Sequence, residues 1–225
     1  MHTVAVVQAR TGSQRLPGKV LMDLDGRPLI ERVLTRAASA ASVDEVVLAT
    51  TDRDEDDALV EIADGLGLRW HRGSEHDVLA RFRGAAREAG ADAVVRITGD
   101  CPLVDPEVID AVAGELTSDA VCDLASNVLR RTFPKGLDAE ALYADVLERA
   151  HRMGTSPEAR EHVTWFVYRE RPELFVLRSV EHSADRSALD WSVDTAEDLE
   201  HVRALWARHD LSHRRPPWTE LADSD

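Results

Sequence analysis

The sequence predicts an α/β fold: a mostly parallel β-sheet with helices on both faces. Three observations carry this. Short apolar runs rich in β-branched residues, at 4–7, 46–50 and 93–98, have the length and composition of strands buried on both sides. Segments with helical spacing of apolar residues alternate with these runs through the first 118 residues. Strand and helix in strict alternation are the signature of parallel strands joined by crossover helices.

In order, the run 4–7 is the first strand, followed by a loop from 9 to 26 with glycines at 12, 18 and 26. Pro28 opens a helix at its first turn, where a missing N–H costs nothing, and Leu29, Ile30, Val33, Leu34, Ala37, Ala38 and Ala41 form one apolar face. The second strand, 46–50, leads to a helix over 54–66, ended by Gly65 or Gly67. A short strand at 68–71 precedes a helix at 78–89 stopped by Gly90, and strand 93–98 follows. Asp105 as N-cap and Pro106 at the first position start a helix that runs to about residue 116.

The regularity then breaks. Residues 119–185 read as an excursion from the sheet that forms a lid or dimerisation arm. It holds a helix at 142–152, another from Ser156-Pro157 to about 169, and a strand candidate at 175–177. The run 189–193 returns as a strand, and Thr195 caps a last helix with Asp198 three residues on as a capping-box partner. A single domain is expected over 1–211, with a polar, loosely ordered tail at 212–225.

The chain has 225 residues and a formal net charge of −15, with 42 acidic against 27 basic side chains. A nucleic-acid partner needs concentrated Lys and Arg, so none is expected, and any local basic cluster becomes informative. The two cysteines, Cys101 and Cys122, show neither a disulfide framework nor zinc-ligand spacing. The N-terminal apolar stretch is too short for a signal peptide, and no run reaches the roughly 18 apolar residues that would span a bilayer. A cytoplasmic location is the expectation, with no membrane partner.

In parallel α/β sheets ligands gather beyond the carboxyl ends of the strands. The first strand ends in Gln8-Ala9-Arg10-Thr11-Gly12-Ser13-Gln14-Arg15-Leu16-Pro17-Gly18-Lys19. Two glycines and small residues let backbone N–H groups turn toward a ligand, and Arg10, Arg15 and Lys19 bring three cations to one loop, which suits phosphates. The loop is not a P-loop: five residues separate its glycines and Val20 follows the lysine. Strand 93–98 ends in Thr98-Gly99-Asp100, where Gly99 allows close backbone approach. Since Asp105 already serves as the helix cap, Asp100 is free for another task. Asp194 occupies the equivalent place before the last helix. Two carboxylates plus phosphate oxygens make a hard-oxygen site suited to Mg²⁺, the one cofactor expected. Lys19, Arg10 and Asp100 are therefore the expected catalytic side chains, and Asp100 and Asp194 the expected metal ligands.

The loop Gln8 to Lys19 resembles the opening motif of the acylneuraminate/Kdo cytidylyltransferase family. The segment Arg96-Ile97-Thr98-Gly99-Asp100-Cys101-Pro102-Leu103, with Ser192-Val193-Asp194-Thr195 and Glu197-Asp198-Leu199-Glu200, resembles that family's spore-coat-polysaccharide-biosynthesis branch. The resemblance implies a nucleotide-diphosphosugar transferase-like, Rossmann-like fold, CTP as donor, Mg²⁺ and a homodimer. By motif position it assigns Ala9, Arg10, Thr11, Gly12, Ser13, Arg15, Lys19 and Thr98 to nucleotide binding, and Asp100 and Asp194 to the metal. Kdo-activating members carry glutamine where Thr98 stands. Lys135, Asp138 and Glu140, in a Gly-x-Asp-x-Glu stretch, and His162 are implied as acceptor contacts. Trp165 and Phe166 read as core or dimer contacts, and the acidic run 52–57 as a solvated helix start. The expected activity is transfer of CMP from CTP to a sugar acid or related small acceptor. The alternative is a glycosyltransferase using a preformed nucleotide sugar, whose D-x-D metal pair has only weak versions at Asp190 and at Asp23-Leu24-Asp25.

Overall fold

The computed structural model describes residues 1–118 and 120–225; residue 119, where the excursion was expected to begin, lies outside them. Seven strands form one sheet in the order β3-β2-β1-β4-β6-β5-β7. The strands are β1 Thr3–Gln8, β2 Glu45–Thr51, β3 Arg69–Gly73, β4 Ala93–Thr98, β5 Leu124–Ser126, β6 Glu140–Tyr143 and β7 Leu177–Ser179. β1 lies at the centre of the regular half, parallel to β2 on one side and β4 on the other. Its side chains alternate between two cores: Ala5 and Val7 face one, Val4 and Val6 the other. The first core is covered by α1 Leu29–Ala37, α2 Asp57–Gly65, α4 Pro106–Leu116, α7 Ala196–Arg208 and α8 Trp218–Ser224. The second is covered by α3 Val78–Ala89, α5 Ala144–Met153 and α6 Pro157–Glu161. Each fully buried aliphatic side chain here contributes roughly 1.5–3 kcal/mol of transfer free energy, which a continuous apolar strand collects on both faces.

Caps act where the sequence placed them. The Asp105 carboxylate accepts from the backbone N–H groups of Glu107 and Val108 ahead of α4. Thr195 and Asp198 close a reciprocal capping box on α7. α1 is shorter than expected, so Ala38 and Ala41 are exposed beyond its end.

The stretch expected to leave the sheet does not: its described residues supply β5, β6 and β7, because pairing with β4 extends the sheet across them. The second half also departs from expectation in five local places. Leu142 does not begin a helix: it sits in β6, which runs antiparallel between β4 and β5 and makes the sheet mixed. Pairing of Leu142 with Val94 and Leu124 buries it on a continuous sheet, and this overrides local helix propensity. The helix from Ser156 stops at Glu161, and after Val163, at φ 40°, only a single π turn, Phe166–Glu170, follows. A β-branched residue at positive φ is strained. Full burial of Val163, and hydrogen bonds from the Thr164 hydroxyl to both Glu140 oxygens, hold it. The strand expected at 175–177 lies at Leu177–Ser179. Residues 189–193 are not a strand but an extended segment with one bridge, between Lys135 and Asp190. The 212–225 tail is not loose: α8 buries Trp218 and Leu221 against the first core.

Two glycines test this packing in opposite directions. Gly136 has φ 99°, and a Cβ there would stand 2.7 Å from the Trp191 carbonyl carbon. Gly114 lies exposed in the last turn of α4 with nothing within 4 Å of its would-be Cβ. In urea unfolding, Gly136→Ala is expected to destabilise by about 2 kcal/mol or more. Gly114→Ala is expected to stabilise by about 0.5–1 kcal/mol. An unchanged midpoint for Gly136→Ala contradicts the close crossing.

Candidate active site

The carboxyl ends of β1, β3 and β4 and the segment before α7 surround a cleft of about 850 Å³. Gly99 lets β4 end against β1: a Cβ there would lie 2.7 Å from the Gln8 carbonyl oxygen. That approach brings the loop after β1 beside Asp100. The loop itself is folded around one carbonyl, that of Thr11, which accepts from the N–H groups of Ser13 (2.8 Å) and Gly18 (2.9 Å). Gly18, at φ 70°, turns the chain into a short 3₁₀ turn that begins with Lys19.

Lys19 is 8% exposed, and its ammonium donates to Asp100 Oδ2 at 2.7 Å, Asp194 Oδ1 at 2.9 Å and the Val193 carbonyl at 2.8 Å. Burial opposes its charge, but the two carboxylates outweigh burial and lift its pKa above the ordinary 10.5. Asp194 also pairs through Oδ2 with Arg15 at 2.8 Å, and Lys135 lies 3.9 Å from the same oxygen. Burial raises the pKa of Asp194 and the cations lower it; the cations win. Three segments far apart in sequence thus meet on one ammonium. Among the described residues, no set of three or more His, Cys, Asp or Glu side chains gathers as a ready-made metal centre.

The remaining expected residues divide. Ala9, Arg10, Gly12, Ser13, Arg15, Thr98, Lys135, Asp138 and His162 line the cleft with Lys19, Asp100 and Asp194. Arg10 pairs with Glu75 at 2.6 Å, and Asp138 holds Arg131 with two hydrogen bonds. Thr98 bonds the Cys101 thiol, which burial first, and Asp100 second, keep protonated. Two residues do not line the cleft. Thr11 turns its N–H and hydroxyl to Asp56. Glu140 is 2% exposed and is spent on Arg96 and Thr164, because β6 carries it into the sheet. The acidic run 52–57 is not wholly solvated either, since Asp56 is buried. Neither D-x-D version reaches the cleft; Asp190 is occupied by Lys135 and Ser192.

A model of the cytidylyltransferase family matches residues 4–214. The chain belongs to the cytidylyltransferase family. The chain is 33% identical over 211 residues to the spore coat polysaccharide biosynthesis protein SpsF of Bacillus subtilis, covering 90% of this chain and 85% of that one. It is 32% identical over 240 residues to a 3-deoxy-manno-octulosonate cytidylyltransferase of an Anaeromyxobacter species, covering 92% and 98%. Among solved structures, a cytidylyltransferase from Leptospira borgpetersenii superposes with a TM-score of 0.91 at 30% identity, covering 100% of this chain and 93% of that one.

In this cytidylyltransferase further residues with no expected role line the cleft: Glu75, His76, Arg81 and Glu161, and, from within the motif segments, Arg96 and Ser192. Glu75 and His76 follow the end of β3, so the strand-end rule that found Asp100 would have found them too. Arg81 carried no such signal. It is 3% exposed, its Nη1 donates to the Ser74 carbonyl at 2.6 Å, and burial, then the like charge of Arg10, pull its pKa down to about 10.

Because folding lowers the Asp194 pKa, the ionised carboxylate stabilises the fold above the unfolded value near 3.8. That contribution is lost as pH falls through the still lower folded value. Urea unfolding from neutral pH downward is expected to show wild type above Asp194→Asn at neutrality, with the gap closing in the acid range below 3.8. A gap that stays constant with pH removes the ion-paired role of Asp194.

Proposed function

We propose that the protein transfers CMP from CTP to the hydroxyl of a small acceptor of the sugar-acid class, with release of pyrophosphate and dependence on Mg²⁺. The observation that carries this is the Lys19 ammonium bridging Asp100 and Asp194 at the foot of a phosphate-suited loop. Similarity to the 3-deoxy-manno-octulosonate cytidylyltransferase of Anaeromyxobacter supports the acceptor class, and similarity to the spore coat polysaccharide biosynthesis protein SpsF supports a role in polysaccharide biosynthesis.

The donor set suits the metal. Asp100 and Asp194 offer hard carboxylate oxygens, and Mg²⁺ is commonly held by one or two carboxylates together with substrate phosphates. Bound there, the ion would supply charge neutralisation at the α-phosphate. The chain's own residues do the rest. The backbone N–H groups of Gly12, Gln14 and Arg15, left over from the loop's internal bonds, hold the triphosphate with Arg10 and Arg15, and Lys19, where a phosphate oxygen replaces one of its carboxylate partners, takes up the charge that grows on pyrophosphate. The acceptor oxygen forms its bond to the α-phosphorus as the bond to the bridging oxygen breaks, and its proton passes to solvent. No covalent enzyme intermediate is needed. Lys135, Asp138 and His162 face the acceptor side, and two copies would form a homodimer.

Asp100→Asn is expected to keep the fold, seen as an unchanged circular dichroism spectrum. It should lower pyrophosphate release by at least about 10²-fold, the scale of removing one preorganised charge-stabilising group. Retained activity in that variant rejects its metal-holding role. With the wild type, CTP is expected to support pyrophosphate release that ATP, GTP and UTP do not; equal use of all four rejects the cytidine assignment.

A further inference from the structure

The sequence makes Asp56 one more acid in the run 52–57 before α2, and its position suggests an ordinary helix cap. The structure rules that role out. Asp56 is the N-cap residue of α2, yet its side chain caps nothing there. It is 1% exposed, and its carboxylate faces the loop after β1 instead. Oδ1 accepts from the Thr11 N–H and the Thr11 hydroxyl, both at 2.7 Å. Oδ2 accepts from the Thr51 hydroxyl and, at 3.3 Å, from the Thr51 N–H. Burial alone would push this carboxyl up; the donors from Thr51 and Thr11 overcome burial and hold it below the ordinary value. A buried carboxylate with four donors has no capacity left for a ligand and does not line the cleft.

Its importance lies in which residue it holds. Thr11 is the hub of the phosphate loop, since its carbonyl gathers the N–H groups of Ser13 and Gly18, and Lys19 follows directly. Thr11 therefore has both polar ends engaged: its carbonyl shapes the loop, while its N–H and hydroxyl are tied to Asp56 at the start of α2. We infer that Asp56 is a positioning residue for the nucleotide: through Thr11 it fixes the turn that presents Arg10, Arg15 and Lys19 to the triphosphate. The inference rests on the nucleotide reading above. A loop freed from this tie must be ordered by the ligand itself, so the cost falls on triphosphate affinity rather than on the chemical step.

The test is calorimetric titration of CTP with Mg²⁺ into wild type, Thr11→Val, Thr11→Ser and Asp56→Ala, beside steady-state kinetics and thermal unfolding. Thr11→Val removes one hydroxyl from a half-buried position and keeps the backbone bond, so it reports even where Asp56→Ala does not fold. The expected result is a CTP Kd and KM raised about tenfold in Thr11→Val, with kcat held within about threefold and affinity restored in Thr11→Ser. Unchanged Kd at 25 °C beside a lowered Tm in Thr11→Val makes the contact merely structural and overturns the inference. A wild type that binds no CTP overturns the nucleotide reading, and the inference with it.

Discussion

One ammonium group organises this active site. Lys19 reaches carboxylates 81 and 175 residues away and a backbone carbonyl 174 residues away. Removing a lysine charge from water is costly, and only close opposite charges with hydrogen bonds offset it. The fold must therefore deliver Asp100 and Asp194 to within bonding distance of a buried lysine, or the lysine could not stay buried. The close ending of β4 on β1 at Gly99 and the capping box before α7 serve that requirement: one sets where Asp100 emerges, the other where Asp194 does.

The sign of the charge gives the cluster its meaning. In a chain of net charge −15, the cations Arg10, Arg15, Lys19, Arg81, Arg96 and Lys135 are gathered along one cleft. Several are held by internal acids, Arg10 by Glu75 and Lys135 by Asp190. The site is thus poised rather than saturated. A polyanion can take over partners that the protein has kept in place, and the exchange costs less than bringing free cations in from solvent.

Much of this was legible in sequence because it depends on local rules. Apolar runs gave the central strands, Asp105-Pro106 and Thr195 gave helix starts, and the strand-end rule led to Lys19 and Asp100, whereas Asp194 was reached from a strand at 189–193 that does not form. What was missed depends on contacts between distant segments. β6 is a strand only because β4 and β5 lie on either side of it. The helix after Ser156 breaks because Thr164 is drawn to Glu140, a partner 24 residues back. Glu140 fits the family pattern of the stretch that holds it, yet β6 turns it inward. Asp56 looks solvated in a run of charges, and only the arrival of Thr11 from 45 residues away gives it a buried role. Spacing marks which faces are apolar; it does not say which polar group a neighbouring segment will claim.

The crossing at Gly136 has a mechanical result. Lys135 exchanges two backbone hydrogen bonds with the 189–191 segment, and Gly136 presses against the Trp191 carbonyl with no side chain between. Three residues further on, Asp194 meets Lys19. The stretch bearing Lys135 and Asp138 and the stretch bearing Asp194 are therefore splinted into one rigid piece, so a force felt at one end of the cleft is delivered to the acid at the other without passing through the ligand.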